Sequence, residues 1–418
     1  MARCHWLIIA DDLTGAADCA MAFARVGLES LVICNEIGQS NGPVMALNTE
    51  SRFLSPNDAA CKQVTGLAAR HRPGVLVYKK IDSTLRGQPA AELAAICDFL
   101  ATLRGGRAPM ALVAPAFPGT GRSTEKGSVR IAGCALEETV LWARDHTYCS
   151  AHLPDILAHV GMSSEVLPLA IIRSGIDATA TALVDARARG VAAVVCDAVE
   201  EADLATIATA SLPIADELIW VGSGGLAIHL ARLVGNANTP APTVTSPPRL
   251  GRPVFVVIGS VAEASRRQAA YLAEQGVAHP LDIGAADLFA GACSHRWREI
   301  RHNAVLQLGA GQNVVVLIAA DAHPDLSRGS ELAALFAELV VPIVPAAGGL
   351  VMTGGDTASA VLARLGVHAL RLVAEVEPGV PLGMTVGPLA LPFVTKAGAF
   401  GDEATLARCL ARLRRDLF

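Results

Sequence analysis

The feature that most constrains the fold of this chain is an alternation that runs from residue 5 to about residue 235. Short apolar runs alternate there with alanine-rich segments of helical period. The runs have the length of strands buried on both faces, and the segments between them can form crossover helices. Such an order is typical of βαβ units, in which helices cover a parallel sheet. We therefore predict an α/β fold built on mostly parallel sheets.

The pattern places individual elements. Strands are predicted at Trp6–Ala10, Leu31–Cys34, Val44–Asn48, Val75–Lys79, Ala111–Pro115, Val166–Ile172, Val191–Cys196 and Leu218–Gly222, with helices that include Gly15–Val26, Pro56–Arg70, Pro89–Leu103 and Ala178–Arg189. Further along the chain, strands are predicted at Val254–Ile258, Val314–Ala319 and Gly349–Thr353, and helices at Glu263–Glu274, Ser330–Leu339 and Ala358–Leu365.

The length of 418 residues is greater than a single core usually supports. Residues 236–253, NANTPAPTVTSPPRLGRP, break the periodicity, and their prolines favour an extended connection. We predict one α/β domain over 1–235 and a second over 254–418, joined by this linker. Clefts between domains are favoured ligand sites, so an active site is expected in the interdomain cleft.

Composition argues against several classes of protein. A net charge of −5 and 4% aromatic residues leave neither a basic stripe nor stacking platforms for nucleic acid. No apolar run approaches the ~20 residues that span a bilayer, so no membrane partner is expected. The ten cysteines show no CxxC pair and the histidines no metal-ligand spacing, which predicts neither disulfides nor a metal site built from them. A cytoplasmic protein is the simplest expectation.

Polar residues follow the predicted strands, where open α/β sheets bind their ligands. After the first strand come Asp11 and Asp12, and then Thr14 and Gly15 open a helix. Asp12 or Thr14 alone could be a helix N-cap, but two adjacent carboxylates exceed what a cap needs. Arg52, after the strand that ends at Asn48, is a further candidate to contact an anion.

The segment KKIDSTLRG at 79–87 contains an ammonium, a carboxylate, two hydroxyls and a guanidinium within a few residues. Because side chains alternate along a strand, at most one of Lys79 and Lys80 faces a shared site. An Arg can bind a carboxylate with two parallel bonds, and an Asp accepts bonds from sugar hydroxyls. The candidates here are Lys80, Asp82, Ser83, Thr84 and Arg86, and the alternative is a solvated loop with local ion pairs.

Lysine is scarce in this chain, with five among 34 basic residues, and four of the five lie in glycine- and hydroxyl-rich segments. Two of these four are in the segment just described, and the others are Lys126 and Lys396.

Residues 115–129, PAFPGTGRSTEKGSV, are made basic by Arg122 and Lys126, and their composition predicts irregular structure. That stretch is either a substrate lid or a surface excursion.

Glycine-rich turns mark the second half of the chain. Ser260 follows VFVVIG, Gly354, Gly355, Asp356 and Thr357 follow LVMT, and TKAGAFGD at 395–402 is expected to be a late loop. Glycines at a strand-to-helix turn let backbone N–H groups approach an anion, so these turns predict a nucleotide phosphate site. No lysine follows a glycine, which excludes a P-loop, and GxGxxG is missing from the first βα turn.

Six segments of the chain, taken in order, resemble the four-carbon acid sugar kinase family. They are ADDLTGAAD at 10–18, KKIDSTLRG at 79–87, PAFPGTGR at 115–122, GGDTA at 354–358, EPGVPLG at 377–383 and KAGAFGD at 396–402. The resemblance covers the chain from end to end. One departure is SVAEAS after Gly259, where many relatives are expected to carry more hydroxyl groups and a cysteine. What the resemblance implies is ATP-dependent phosphorylation of the terminal hydroxyl of a C4 sugar acid, with D-threonate preferred over D-erythronate and 3-oxo-tetronate.

The resemblance also implies roles for individual residues. The acid would be held by the first-domain set Asp11, Asp12, Arg52, Lys80, Asp82, Ser83, Thr84 and Arg86. ATP would be held by the second-domain set Ser260, Gly354, Gly355, Asp356, Thr357, Gly398 and Gly401. Arg86, with Arg52 or Lys80, would fix the substrate carboxylate. Asp12 is the first choice to accept the proton of the attacking hydroxyl, and Asp82 the second.

Further expectations concern the metal ion, the oligomeric state and two other functional classes. Mg²⁺ would bridge the ATP phosphates, with Asp356 helping to place it directly or through water. Closure of the two domains would exclude water from the phosphoryl group, and an apolar, alanine-rich surface makes a homodimer the expected assembly. Two other classes stay open: an NAD(P)-linked dehydrogenase or isomerase of the same acids, and a non-catalytic sugar-acid sensor.

Overall fold

The computed structural model describes residues 5–35, 41–145, 147–235, 252–319 and 328–416. Two compact units make up the chain. Unit 1 comprises Met1–Ser30 with Asn41–Ala241, and unit 2 comprises Leu31–Ser40 with Pro242–Phe418. Each unit has a mostly parallel run of strands accompanied by helices, which confirms the predicted α/β class.

The strands are numbered in chain order. They are β1 (Trp6–Ala10), β2 (Ser30–Ile33), β3 (Val44–Asn48), β4 (Leu76–Lys80), β5 (Met110–Ala114), β6 (Arg122–Glu125), β7 (Ser128–Ile131), β8 (Cys134–Ala135), β9 (Ser164–Leu167), β10 (Ala193–Cys196), β11 (Leu218–Gly222), β12 (Val254–Ile258), β13 (His279–Ile283), β14 (Val314–Ile318), β15 (Gly349–Thr353), β16 (Ala369–Glu375), β17 (Pro381–Val386) and β18 (Pro392–Lys396).

The α-helices follow the same convention. They are α1 (Leu13–Ala24), α2 (Pro56–Arg70), α3 (Pro89–Leu103), α4 (Val140–Asp145), α5 (Leu153–Ala158), α6 (Leu169–Ile172), α7 (Ile176–Ala188), α8 (Glu201–Ser211), α9 (Gly224–Val234), α10 (Glu263–Glu274), α11 (Ala285–Ala290), α12 (His295–Gly309), α13 (Gly329–Val340), α14 (Gly355–Arg364) and α15 (Thr405–Asp416).

The sheet of unit 1 is parallel, with the strand order β3-β1-β4-β11-β5-β10-β9. Every residue of β1 is buried, as the continuous apolar run in the sequence predicts for a strand covered on both faces. Trp6 packs against Phe23 of α1 and against Trp220 of β11, with ring centroids 5.1 and 5.2 Å apart. Because the strands are parallel, the loops after β1, β3, β4, β5 and β11 all leave from one edge.

Residues 115–129 do not form the irregular loop that the sequence predicted, because β6 and β7 pair as an antiparallel hairpin. Its turn, Lys126-Gly127, has two consecutive positive φ angles of 51° and 76°, the conformation of a tight hairpin turn. The backbone N–H groups of both turn residues donate to the carboxylate of Asp197, at 2.8 and 2.9 Å. Local turn chemistry and one distant carboxylate therefore give regular structure to a segment whose composition predicted an irregular loop.

The sheet of unit 2 has the order β13-β14-β12-β15-β18-β17-β16-β2. Its first five strands are parallel, and β17, β16 and β2 extend it in antiparallel fashion. Strand β2 comes from the amino-terminal part of the chain, yet Leu31 and Ile33 pair with β16 at Arg371 and Ala369. The domain boundaries 1–235 and 254–418 remain a prediction. The two units differ from it in one segment, because Leu31–Ser40 belongs to unit 2.

Two predicted elements are wrong in detail. The strand predicted at Val166–Ile172 ends at Leu167, and α6 begins after Pro168, which caps that helix. The late loop predicted at 395–402 begins inside a strand, because Thr395 and Lys396 are the last residues of β18. The predicted linker lies outside the described residues apart from Arg252 and Pro253.

One stretch of unit 2, Gly329–Ala346, is long and apolar enough to cross a membrane by length and composition. It consists of α13 followed by a 3₁₀ segment at Val341–Ala346. Phe336, Leu339 and Val340 are buried inside the unit. The apolar residues of this stretch thus pack as those of a core helix do.

We expect Asp197→Asn to loosen the hairpin selectively. Asparagine keeps one acceptor oxygen and places an NH₂ group against the other backbone N–H, so one buried donor loses its partner at a cost of about 1–3 kcal/mol. Limited proteolysis, followed by mass spectrometry of the cuts within residues 122–131, measures the effect. Asp185→Asn, at an exposed position of α7, is the matched control. Equal cutting rates for the two variants would contradict the anchoring role of Asp197.

Candidate functional site

Arg52 is the centre of an ion-pair cluster in unit 1. Its Nε and Nη2 donate to the two carboxylate oxygens of Asp11 at 2.8 and 3.0 Å, and its Nη1 donates to Asp12 Oδ2 at 2.7 Å. The carboxylate of Asp82 lies 3.9 Å from Nη2. Burial by itself raises the pKa of Asp11, but the Arg52 charge outweighs it and leaves that pKa lowered. The loops after β1, β3 and β4 therefore meet here, as the strand-end argument predicted.

Asp12 has two partners. It is the N-cap of α1, accepting a bond from the Gly15 backbone N–H at 2.9 Å, and it accepts a bond from Arg52. The N-cap that the sequence offered for Asp12 is present, and the same carboxylate also pairs with Arg52. Its carboxylate is held in a fixed direction by two elements, the helix start and the Arg52 loop.

The loop after β4 closes around Asp82. Arg86 donates to both oxygens of that carboxylate, from Nε and Nη2 at 2.9 Å each, and Thr84 donates from its backbone N–H and its hydroxyl. Burial raises the pKa of Asp82, but Arg86 and Arg52 more than reverse this and hold the pKa well below its usual range. Ser83 lies half-buried in the same loop.

The geometry of this loop depends on one glycine. Gly87 has φ +86°, and a methyl group added there would lie 2.9 Å from Asp11 Oδ2. Leu85, two residues earlier, also has a positive φ, of 62°, and is fully buried. The packed loop, rather than solvent, therefore fixes the direction of the Asp82 and Arg86 side chains.

The two lysines of β4 point to opposite faces, as strand alternation requires. Lys79 is buried against Glu92 of α3, with Nζ 2.7 Å from Oε2. Lys80 lies over α1, since a methyl group at Gly15 would be 2.7 Å from its Nζ. Burial lowers the pKa of Lys80, but the surrounding negative groups outweigh that effect and raise it, so Lys80 stays charged. Lys80 is thus the lysine that belongs to the Arg52 cluster.

Arg122, at the start of β6, joins the site through the hairpin. Burial lowers the pKa of Arg122. The Asp82 carboxylate opposes that shift and the Arg86 charge adds to it, so both side chains are close enough to interact electrostatically with Arg122. One of its nitrogens, Nη1, donates to Thr120 O at 2.7 Å. Its Nε is buried and has no hydrogen-bond partner among the described residues. The sequence marked Arg122 only as a basic loop residue, because nothing local reveals the hairpin that delivers it.

Asp18 of α1 was not among the residues predicted for the site. Its carboxylate meets the start of α9, where a methyl group at Gly224 would be 2.2 Å from Asp18 Oδ2 and 3.0 Å from Phe117 Cε1. It makes no hydrogen bond or ion pair with another described residue. Burial raises the pKa of Asp18, and Lys80 and Arg25 only partly offset this. The available signal was its position on the helix that Asp12 caps, three residues after Gly15.

In unit 2, three parallel strands end in register. Ile258 of β12 is opposite Thr353 of β15, which is opposite Lys396 of β18. Ser260, which follows β12, lies between the two turns that come next. A methyl group at Gly354 would be 3.5 Å from Ser260 N, and one at Gly398 would be 1.8 Å from Ser260 Oγ. The predicted Ser260, Gly354 and Gly398 are therefore together, and at Gly398 a side chain would clash with Ser260.

Helix α14 starts within this group. Its N-cap, Gly354, has φ +93°, a conformation that favours glycine, and Gly355 is its first residue. Asp356 and Thr357 occupy the first turn, and a methyl group at Gly259 would be 1.8 Å from Thr357 Oγ1. The N–H groups of a helix start attract anions. The predicted residues Gly354, Gly355, Asp356 and Thr357 therefore form a helix start of the kind that can attract an anion.

Lys396 supports the loop that follows it. The side chain is fully buried, and its Nζ donates to the carbonyl oxygens of Ala397 and Gly398 at 2.9 and 3.4 Å. Burial lowers the pKa of Lys396 to about 8. Gly401 lies elsewhere: the atoms nearest to a methyl group there would be Thr405 Oγ1 and Glu377 Oε1. Gly401 thus belongs to the turn that leads into α15, rather than to the group around Ser260.

Comparison with known proteins assigns a general role to each part of the chain. A family model described as a sugar-binding N-terminal domain matches residues 6–230, and one described as a nucleotide-binding C-terminal domain matches residues 255–406. A D-threonate kinase from Cupriavidus necator is 40% identical over 412 residues, covering 96% of each chain. A D-threonate kinase from Salmonella typhimurium is 31% identical and covers 97% of each chain.

A solved structure shares the fold. A crystal structure of a Salmonella typhimurium LT2 protein superposes with a TM-score of 0.80, covering 98% of this chain and 99% of its own, at 21% identity. The match extends over both units, so the α/β architecture is that of a known two-domain fold.

Replacing Glu92 by Gln is expected to lower the free energy of unfolding of unit 1 by about 3–5 kcal/mol, because Lys79 then keeps a buried charge without its partner. Urea unfolding followed by tryptophan fluorescence measures this. Glu165→Gln removes an ion pair with Arg189 that is about half exposed and should change stability by less than about 1 kcal/mol. A Glu92→Gln protein as stable as Glu165→Gln would show that the buried pair is not needed.

Proposed function

Because the chain belongs to the four-carbon acid sugar kinase family, we propose that it transfers the γ-phosphoryl group of ATP to the terminal (4-) hydroxyl of a C4 sugar acid. The proposed acid is D-threonate, since a relative that is 40% identical over 96% of this chain is a D-threonate kinase. The observation that carries the proposal is the charged cluster around Arg52 in unit 1, present together with a glycine-lined helix start in unit 2.

The carboxylate of the acid is proposed to bind Arg86 and Arg122. Arg52 is less suited, because Asp11 and Asp12 already accept from its Nε, Nη1 and Nη2. Arg86 uses only Nε and Nη2 on Asp82 and leaves about a third of its side chain exposed. Arg122 adds a buried Nε that has no acceptor in the part of the chain that the structure describes. A carboxylate ligand would supply acceptors to both guanidinium groups.

The hydroxyls of the acid are proposed to meet the oxygen atoms around the same loop. Asp82, Ser83 and Thr84 offer a carboxylate and two hydroxyl groups there, and Asp12 and Lys80 offer an acceptor and donors from β1 and β4. Arg52 and Arg86 hold the carboxylates of Asp12 and Asp82 in fixed positions, so hydrogen bonds to a bound acid would need little rearrangement.

ATP is proposed to bind in unit 2 at the group formed by Ser260, Gly354 and Gly398. A side chain at Gly398 would clash with Ser260, and Gly354 has the positive φ that favours glycine, so the phosphate is proposed to contact backbone N–H groups. Gly355, Asp356 and Thr357 supply the start of α14. Gly401, expected to touch ATP, is proposed instead to shape the turn before α15.

Mg²⁺ is proposed to come with the nucleotide. The described residues include no group of three or more His, Cys, Asp or Glu side chains arranged to hold an ion. Mg²⁺ commonly keeps several waters and binds through substrate phosphates and one or two carboxylates. Asp356, in the first turn of α14, is the carboxylate we propose for that role. When bound, the ion would neutralise charge on the transferred phosphate.

Two further parts of the proposal concern the cellular compartment and the oligomeric state. We propose that the enzyme acts in the cytoplasm, because its cysteine pattern shows neither a disulfide framework nor a zinc motif. A homodimer is proposed from the alanine-rich, apolar composition, and light scattering coupled to size-exclusion chromatography tests it.

The function is tested by a coupled ADP-release assay over D-threonate, D-erythronate and the 3-oxo acids, with Mg²⁺ present. We expect turnover on a C4 acid, with the highest kcat/KM for D-threonate. Thermal shift with ADP-Mg²⁺ and with NAD⁺ runs in parallel, because a dehydrogenase would respond to NAD⁺ and a sugar-acid sensor to neither nucleotide. Stabilisation by NAD⁺ but not by ADP, or no ADP release with any of these acids, would refute the kinase proposal.

Gly398→Val is expected to raise the Kd for ADP at least tenfold, about 1.4 kcal/mol, because the first added carbon would lie 1.8 Å from Ser260 Oγ. Isothermal titration calorimetry measures the affinity. Gly309→Val is the control, since nothing lies within 4 Å of a methyl group at that exposed position of unit 2. D-threonate binding, measured separately, should not change. Unaltered ADP affinity in Gly398→Val would move the nucleotide site away from Ser260.

A further inference from the structure

The site in unit 1 has four aspartates, and three of them are already committed. Asp11 accepts two bonds from Arg52. Asp82 accepts two bonds from the Arg86 side chain, one from the Arg86 backbone N–H and two from Thr84. Asp12 accepts from Arg52 and caps α1. A carboxylate whose lone pairs are held by guanidinium groups is a weak proton acceptor, because protonation would break those charge-assisted bonds.

Asp18 differs from the other three in having no such partner. It makes no hydrogen bond or ion pair with a described residue, and its side chain is only partly buried. It lies on α1 six residues beyond Asp12, with Lys80 Nζ above Gly15 between them. The carboxylate therefore borders the same cluster, at the place where Lys80 provides positive charge nearby.

The fold leaves space for this carboxylate at Gly224. That glycine begins α9 directly after Ser223, whose hydroxyl donates to Ala116 O and accepts from Gly225 N. A methyl group at Gly224 would be 2.2 Å from Asp18 Oδ2, so any other residue would displace the carboxylate. The glycine has an ordinary backbone conformation, with no positive φ. Space for Asp18, rather than backbone strain, is the physical reason for a glycine here.

We propose that Asp18, rather than Asp12 or Asp82, accepts the proton of the attacking hydroxyl. This inference rests on the proposed kinase function. In the step, the O–H bond of the 4-hydroxyl breaks and its proton passes to Asp18. The hydroxyl oxygen forms a bond to the γ-phosphorus, and the bond from that phosphorus to the bridging oxygen breaks. ADP leaves with that electron pair, and Asp18 returns its proton to water.

The charged and titratable groups around Asp18 determine the pH dependence of this step. Lys80 faces it from β4, and Arg25 and Asp12 belong to its own helix region. The buried Tyr78 and Cys19 are also within electrostatic reach. Burial raises the pKa of Asp18 above its usual value, and the two cations only partly reverse this. A base must be unprotonated to act, so kcat should fall as the pH drops through that raised pKa.

The decisive experiment compares pH profiles of kcat for the wild type, Asp18→Asn and the control Asp98→Asn, an exposed position of α3. Asp18→Asn should lower kcat at least ~100-fold, leave the KM for the acid and the Kd for ADP within about threefold, and remove the acidic limb of the profile. Asp98→Asn should behave as the wild type does. Thermal unfolding of each variant establishes that it is folded.

A second variant keeps the inference testable if Asp18→Asn fails to fold. Gly224→Ala retains the Asp18 carboxylate but displaces it, and it should lower kcat by about 10- to 100-fold with both ligands still binding. An Asp18→Asn enzyme with at least half the wild-type kcat, or one that loses only affinity for the acid, would overturn the assignment. A wild type inactive on every C4 acid would instead overturn the proposed function itself.

Discussion

The interaction on which the unit 1 site depends is the set of bonds between Arg52 and two successive aspartates, Asp11 and Asp12. All three side chains are withdrawn from most of the solvent, and each charge would be costly there alone. Arg52 neutralises both carboxylates and joins the loop after β3 to the loop after β1. The β4 loop then closes over them, with Gly87 giving Asp11 the space that a side chain would take.

In unit 1 the neighbours of each charged residue determine its role. Lys79 and Glu92 form a pair inside the core, whereas Lys80, one residue further on, faces the aspartates. Asp11, Asp12 and Asp82 position guanidinium groups. Asp18 has no partner to position among the described residues, which is why we propose it for the proton transfer. Residues of the same type therefore differ in chemistry because their neighbours differ.

The anion site that we propose in unit 2 depends on backbone rather than on charged side chains. Ser260 occupies the space where a side chain at Gly398 would stand, Gly354 has the positive φ that favours glycine, and the start of α14 contributes oriented N–H groups. Lys396, the buried cation nearby, is used to hold the loop carbonyls. A site made of backbone suits phosphates, whose oxygens accept bonds from several N–H groups at once.

The sequence by itself determined the α/β class, most strand positions and the segments that carry the chemistry, because apolar periodicity and glycine turns are local properties. It could also state that only one of Lys79 and Lys80 would face the site. Only the tertiary structure decided which carboxylates are paired: strand order brings Arg52 to Asp11 and Asp12, whereas Asp18 has no partner among the described residues. The Arg86–Asp82 pair is local, but it depends on how the loop after β4 is folded. The hairpin that delivers Arg122, the transfer of β2 to unit 2 and the space at Gly224 likewise depend on contacts between residues far apart in the chain, which no local pattern encodes.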